Sequence, residues 1–99
     1  MRITFVLIIL SWYVWACSAP ESKPQTISGV EIYKTRCVTC HGTDGRMGMN
    51  GAKELPDSPL NAAQRIEVVT HGRNIMPGFK EMLSEEEIKA VVEFTMTLK

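Results

Sequence analysis

The sequence has no surplus of charge of either sign and few aromatic side chains. Eleven Lys and Arg residues balance eleven Asp and Glu residues over 99 positions, so the formal net charge is zero. Nucleic-acid binding through a broad basic surface is excluded, because it requires an excess of Lys and Arg. Beyond the first 16 positions the aromatic residues are Tyr33, Phe79 and Phe94. One small domain with so few aromatic residues needs a metal, a cofactor or a cross-link to complete its core.

The first 16 residues have the features of an export signal. Arg2 supplies a positive charge, and the apolar run at residues 3–14 follows it. Residues 14–17 (VWAC) resemble a bacterial lipobox, in which the leader is removed and the following cysteine carries a lipid. We therefore predict a lipoprotein-type signal peptide at residues 1–16, lipid attachment at Cys17 and a membrane-anchored position in the periplasm or elsewhere outside the cytoplasmic membrane.

Two other interpretations of this segment stay open. The uncharged residues 3–19 approach the length of a membrane-spanning helix, so the segment would also serve as an uncleaved anchor. Residues 16–18 (ACS) would also serve as an ordinary small-residue cleavage site that releases a soluble periplasmic protein. All three interpretations place the following domain outside the cytoplasmic membrane. Residues 17–27 contain two prolines and no periodic pattern, which predicts a flexible tether.

Residues 28–99 are predicted to form a small all-α domain with three helices. Each predicted helix begins at a Ser or Asn that is followed three positions later by Glu or Gln, and glycines end the first two. The predicted segments are Ser28 to Gly42, Asn61 to Gly72 and Ser84 to about Lys99. Residues 43–60 are rich in glycine and lack periodicity, which indicates a loop, and no segment has the alternation of a strand.

Apolar residues recur at helical spacing in all three segments, which predicts the faces that pack together. The residues assigned to these faces are Val30, Tyr33, Cys37 and Cys40 in the first helix, Ala63, Ile66 and Val69 in the second, and Ile88, Val91, Val92 and Thr95 in the third. Cys37 and Cys40 therefore share a face with core residues.

The C-x-x-C-H motif at residues 37–41 carries the chemistry of the chain. Two cysteines three positions apart on a helix point the same way, so both thiols reach the two vinyl groups at one edge of a haem. The adjacent histidine is then placed to coordinate the iron. We predict one covalently attached haem c, bound through Cys37 and Cys40, with His41 as an axial iron ligand.

Three other interpretations of the cysteines fit the sequence less well. A thioredoxin-like motif requires a βαβ context, which the pattern does not predict. A zinc site needs a further ligand such as His71, and the neighbours Cys40 and His41 fit poorly into one tetrahedron. A simple disulfide leaves His41 without a role. A Cys/His metal-binding or thiol-redox lipoprotein therefore remains an alternative to the haem protein.

The second axial ligand is predicted from the loop at residues 72–79. Met76 lies there after a helix end and directly before Pro77, which fixes the local backbone. Methionine and histidine form the ligand pair of cytochromes c. His71 is the main alternative, although a histidine in a last helical turn also has a simple electrostatic role. The remaining methionines are interpreted as packing residues: Met47, Met49, Met82 and Met96.

The chain resembles the small bacterial class I cytochromes c over residues 28–99. The matching segments are residues 29–42 (GVEIYKTRCVTCHG), 43–45 (TDG), 51–55 (GAKEL), 72–79 (GRNIMPGF) and 83–94 (LSEEEIKAVVEF). The resemblance implies a cytochrome c fold, with about three helices around one haem and with the first and last helices crossing at Gly29 and Phe94. Many relatives have a proline whose carbonyl accepts a hydrogen bond from the axial histidine, but residues 51–53 of this chain contain none. The acceptor for His41 therefore stays unassigned.

A haem with both axial positions filled by the protein favours outer-sphere electron transfer over the binding of a substrate or a gas. We therefore expect a monomeric monohaem carrier, not an enzyme, that exchanges single electrons with redox partner proteins. The alternatives are a haem-based ligand-binding or sensor domain and an electron-transfer subunit of a larger redox enzyme.

Overall fold

The computed structural model describes residues 27–99. The predicted signal peptide at residues 1–16, Cys17 and most of the predicted tether lie outside the described residues. Within the described part, the helices α1 to α4 span Gly29–Arg36, Val38–His41, Ala62–His71 and Glu85–Thr95. A 3₁₀ turn spans Met49–Gly51, and two short strands, β1 and β2, span Gly72–Arg73 and Met76–Pro77. None of these helices has both the length and the apolar content needed to cross a bilayer.

The predicted helical fold is confirmed, with four helices in place of three because the first one is interrupted. Cys37 separates α1 from α2, with φ of −114° and ψ of −31°. Main-chain hydrogen bonds continue across the break, from the Cys37 amide to the Tyr33 carbonyl (2.9 Å) and from the His41 amide to the Cys37 carbonyl (3.0 Å). The last helix ends at Thr95, short of the predicted Lys99.

Two of the three predicted capping boxes are complete. Side chain and main chain exchange reciprocal hydrogen bonds in the pairs Asn61–Gln64 and Ser84–Glu87. At the first helix the Ser28 hydroxyl accepts from the Glu31 amide at 3.3 Å. The Glu31 carboxylate lies 3.8 Å from Lys34 Nζ, so the N-cap is confirmed there without the reciprocal bond.

The structure adds a short antiparallel hairpin that the sequence pattern did not indicate. Gly72 pairs with Pro77 and Arg73 pairs with Met76, and Asn74 in the turn has a positive φ of 54°. Strands of two residues are too short to produce a detectable alternation of apolar and polar side chains. The hairpin fixes the main chain of Met76.

The core lies between α3, α4 and the segment that joins them. Its buried cluster consists of Phe79, Leu83, Ile88 and Val92, and the half-buried side chains packed on it are Ile32, Ala62, Ile66, Val69 and Met76. The prediction that Ala63 faces inward is wrong, because Ala63 is exposed and Ala62 packs in its place. Both alanines have helical spacing from Ile66, so periodicity alone does not distinguish them. Val30, also assigned to a packing face, is exposed.

Helices α1 and α4 cross at Gly29, but the prediction that Phe94 is its partner is wrong. A Cβ atom at Gly29 would lie 2.7 Å from the carbonyl carbon of Ala90, so the two backbones are in direct contact. Phe94 lies one helical turn further along α4, and its ring centroid is 5.1 Å from that of Tyr33. The absence of a side chain at Gly29 thus permits the main-chain contact with Ala90. The contact between the rings of Tyr33 and Phe94 is a separate one.

Gly29→Ala is expected to lower the free energy of unfolding by about 1–3 kcal/mol, because the added methyl group forces the two helix backbones apart. Helix propensity acts in the opposite direction, since Ala is favoured over Gly. Thermal or denaturant unfolding of the purified protein measures the change. The exposed neighbour substitution Val30→Ala is the control and should change the value by less than about 0.5 kcal/mol. Unchanged stability of Gly29→Ala would contradict the close crossing.

Candidate haem site

The two cysteines of the motif lie one helical turn apart, as predicted. Cys37 occupies the break before α2 and Cys40 lies within α2, and the Cys40 amide is 3.3 Å from the Cys37 carbonyl. Both side chains are half-buried and both carry free thiols. The turn therefore presents two unpaired sulfur atoms from the same short segment.

The environment of the Cys37 thiol differs from that of a thiol-redox site. Burial, with a smaller contribution from Cys40, raises the pKa of the Cys37 thiol to about 11. Reactive cysteines in C-x-x-C redox motifs have lowered pKa values, because the thiolate is the nucleophile. Within residues 27–99 no three His, Cys, Asp or Glu side chains are grouped so that they could hold a metal ion. Neither the redox nor the zinc alternative gains support from this geometry.

The imidazole of His41 is oriented by a main-chain carbonyl of the loop that follows. Its Nδ1 atom lies 3.1 Å from the carbonyl oxygen of Lys53. A carbonyl only accepts, so Nδ1 carries the proton and Nε2 keeps its lone pair for a metal. Burial lowers the pKa of His41, and the hydrogen bond to Lys53 opposes this in part. The lowered pKa favours the neutral imidazole, which is the form that binds iron.

Lys53 thus supplies the acceptor that sequence reasoning did not assign. The contact uses the main chain, so the identity of the side chain gives no signal for it. In the sequence, the glycine-rich loop after the motif was the one indication of where the acceptor for His41 lies.

Tyr33 fixes the end of the cysteine-bearing turn to the rest of the domain. Its side chain is 1% exposed, and its hydroxyl donates to the carbonyl of Gly42 at 2.6 Å. The ring also contacts Phe94 of α4. Burial, followed by the nearby Cys37 and Asp44, raises the pKa of the phenol, which therefore stays protonated and able to donate. Sequence periodicity assigned Tyr33 to the core but gave no indication of this bond.

The hairpin places Met76 at the edge of the core. Its side chain is half-buried and packs against the buried cluster of Phe79, Leu83, Ile88 and Val92. Gly72, with φ of 78°, permits this arrangement, because a Cβ atom there would lie 2.6 Å from the Gly78 amide nitrogen. The thioether therefore belongs to a segment whose backbone is fixed on both sides.

The other candidate ligand and the other methionines lie at the surface. The side chain of His71 is 54% exposed, and its Nε2 atom lies 3.3 Å from a carboxylate oxygen of Glu67 on the same helix. The prediction that the remaining methionines are packing residues is wrong in the described structure, because each is about half exposed: Met47, Met49, Met82 and Met96. They lie in loops, in the 3₁₀ turn and next to the last helix.

These groups fit a covalently bound haem. The segment provides two free thiols one turn apart and an imidazole with a free nitrogen lone pair, and the hairpin provides a half-buried thioether. Thiols for thioether bonds and a nitrogen and a sulfur for iron are the donor set of a cytochrome c.

Comparison with known proteins points to the same cofactor. The family model of cytochrome c oxidase, cbb3-type, subunit III matches residues 24–94. A cytochrome c6 of Leptolyngbya boryana is 32% identical over 75 residues, which covers 70% of this chain and 87% of that protein. The solved structure of the c-type cytochrome KustC0563 superposes with a TM-score of 0.68 at 33% identity and covers 74% of this chain and 99% of that one.

A longer relative shares the same domain. The cbb3-type cytochrome c oxidase subunit FixP of Azorhizobium caulinodans is 33% identical over 87 residues, which covers 82% of this chain but 30% of FixP. The match therefore concerns one part of FixP. From the family match, the relatives and the fold together, this chain belongs to the small class I c-type cytochromes, and its cofactor is covalently attached haem c.

Proposed function

We propose that this chain is a monohaem electron carrier whose iron is ligated by His41 and Met76. Cys37 and Cys40 hold the haem through two thioether bonds, and the bound haem supplies a one-electron change at iron. The observation that carries the proposal is the hydrogen bond from His41 Nδ1 to the Lys53 carbonyl, beside the two free thiols. It leaves Nε2 as the nitrogen that binds a metal.

The contrast between Met76 and His71 supports methionine as the second ligand. Met76 packs at the core edge in a fixed hairpin, whereas His71 contacts Glu67 at the surface of α3. A carrier needs both axial positions filled, because a saturated iron exchanges electrons with little rearrangement and leaves no position for a gas or a substrate. A sensor would instead require Met76 to be absent from the iron or readily displaced.

The proposal includes a location outside the cytoplasmic membrane, with a lipid on Cys17 as the tether. It rests on the basic start, the apolar run and the VWAC segment at residues 14–17. The electron donor and acceptor are redox partner proteins that meet the chain there, and the carrier acts as a monomer. Similarity to cytochromes c6 over most of their length supports a carrier and not an enzyme.

A second candidate is an electron-transfer subunit of a larger redox enzyme. The match to the cbb3-type subunit family and to FixP favours it. Extraction of the native protein in mild detergent, followed by gel filtration, separates the two functions. A free carrier elutes as a small species on its own, and a subunit elutes with other polypeptides.

Replacing Met76 tests the ligand assignment. In the oxidised wild-type protein we expect a weak far-red absorption band from thioether sulfur on ferric haem, and we expect Met76→Ala to lose it while the c-type spectrum of the reduced protein persists. The matched substitution His71→Ala should keep the band. Met76→Ala should also bind carbon monoxide rapidly when reduced, since it opens an iron position. A band that persists in Met76→Ala, or rapid carbon monoxide binding by the wild type, would contradict the carrier proposal.

Cys17→Ser tests the tether. Cells that express the wild-type chain should incorporate labelled fatty acid into the protein and retain it in the membrane fraction. We expect Cys17→Ser to abolish labelling, because serine provides no thiol for the lipid. Ser18→Ala is the neighbouring control and should label normally. Labelling of Cys17→Ser, or an unlabelled wild-type chain that is free in the periplasm, would contradict lipid attachment.

A further inference from the structure

Arg65 is a buried cation of α3 whose partners among residues 27–99 are main-chain and hydroxyl oxygens. It is 8% exposed, and no carboxylate of residues 27–99 forms a salt bridge with it. Its Nε donates to the Leu60 carbonyl at 3.2 Å and its Nη2 to the Leu55 carbonyl at 3.1 Å. Its Nη1 donates to the Thr95 carbonyl and hydroxyl, both at 3.1 Å. One guanidinium thus joins the loop after the C-x-x-C-H motif to α3 and α4.

Burying a guanidinium without a carboxylate partner costs free energy, and hydrogen bonds must offset that cost. The groups that accept these bonds therefore show which segments Arg65 holds together. The Thr95 carbonyl lies at the negative end of the α4 dipole, which favours a cation. Burial lowers the pKa of Arg65 from its ordinary value, but an arginine with such contacts stays charged. The planar fork of N–H groups meets oxygens of Leu55 and Leu60 in the loop and of Thr95 at the end of α4.

Leu55 is held from two sides. Its carbonyl accepts from Arg65, and its amide donates to the Gly45 carbonyl at 2.9 Å. Two residues earlier, the Lys53 carbonyl accepts from His41 Nδ1. The outer side of the loop is held differently, by exposed ion pairs from Arg46 to Glu54 (3.2 Å) and Asp57 (2.8 Å). Exposed pairs of this kind contribute little, so the inner contact is the stronger restraint.

We propose that Arg65 is a positioning residue for the axial histidine: by fixing Leu55 it keeps the Lys53 carbonyl in hydrogen-bonding position on His41 and thereby helps to set the reduction potential of the haem. This inference rests on the ligation of iron by His41 given under the proposed function. The contact raises the basicity of the imidazole, which stabilises the ferric state and lowers the potential. If the Lys53 carbonyl is held less firmly on His41, the reduction potential of the haem therefore rises.

Arg65→Lys isolates this effect, because the positive charge remains while the planar fork of donors is lost. Two quantities are measured on the haem-loaded protein: the reduction potential, and the exchange rate of the His41 Nδ1 proton with solvent by NMR in the diamagnetic reduced state. We expect the potential to rise and the proton to exchange about tenfold faster, in keeping with the loss of a hydrogen bond to a charged group.

Two further variants keep the test decisive. Thr95→Val removes one partner of Arg65 while the hold on Leu55 stays, so we expect smaller changes in the same direction, even if Arg65→Lys fails to fold. Arg46→Lys makes the identical substitution on the exposed side of the loop and should change neither quantity. Equal changes in Arg46→Lys would overturn the inference, because they would indicate general loosening of the loop.

A lower unfolding temperature of Arg65→Lys and Thr95→Val, with potential and proton exchange unchanged, would assign Arg65 to stability alone and overturn the inference. Absence of a ligated His41 signal from the wild-type holoprotein would contradict both the ligation and this inference. A ligated wild-type His41 together with unaffected variants would contradict this inference alone. The two failures are therefore distinguishable.

Discussion

The structure depends on holding one short helical turn, Val38–His41, in a fixed position against the rest of the domain. This turn carries Cys40 and His41, and Cys37 directly precedes it. The buried hydroxyl of Tyr33 bonds the Gly42 carbonyl at its end, and the Tyr33 ring contacts Phe94 of the last helix. The close passage of Gly29 over Ala90 brings α1 and α4 together. A small core with few aromatic residues is thus sufficient to hold the cysteines and the histidine of the motif in place.

The site combines two kinds of restraint that have different consequences for electron transfer. Covalent attachment fixes where the haem lies, and we propose that it runs through Cys37 and Cys40. The contacts around the proposed iron ligands decide how strongly the protein favours each oxidation state, because a hydrogen bond to the far side of a ligand changes its basicity. Here the loop after the motif supplies the second kind of restraint: it contributes the Lys53 carbonyl to His41, and it is itself tied to α3 and α4 through the buried Arg65.

Local sequence signals predicted the helical fold, the helix starts at Asn61 and Ser84, and the spacing of the thiols, because each depends on residues a few positions apart. Contacts between distant segments were not predictable in the same way. The Lys53 carbonyl and the oxygens around Arg65 are mostly main-chain groups, which leave no residue pattern. The choice of Ala62 over Ala63, and of Ala90 over Phe94 as the neighbour of Gly29, depends on how the helices rotate when they pack. Periodicity does not specify that rotation.

The most direct test of the account is to locate the haem on the chain. Trypsin cleaves after Arg36 and Arg46, so digestion of the exported protein isolates residues 37–46 with both cysteines of the motif and His41. Mass spectrometry should find this peptide carrying one haem that survives extraction with acidified acetone, since thioether bonds do not dissociate. The same peptide with two unmodified thiols, or haem released by the extraction, would contradict covalent attachment at Cys37 and Cys40 and the carrier that depends on it.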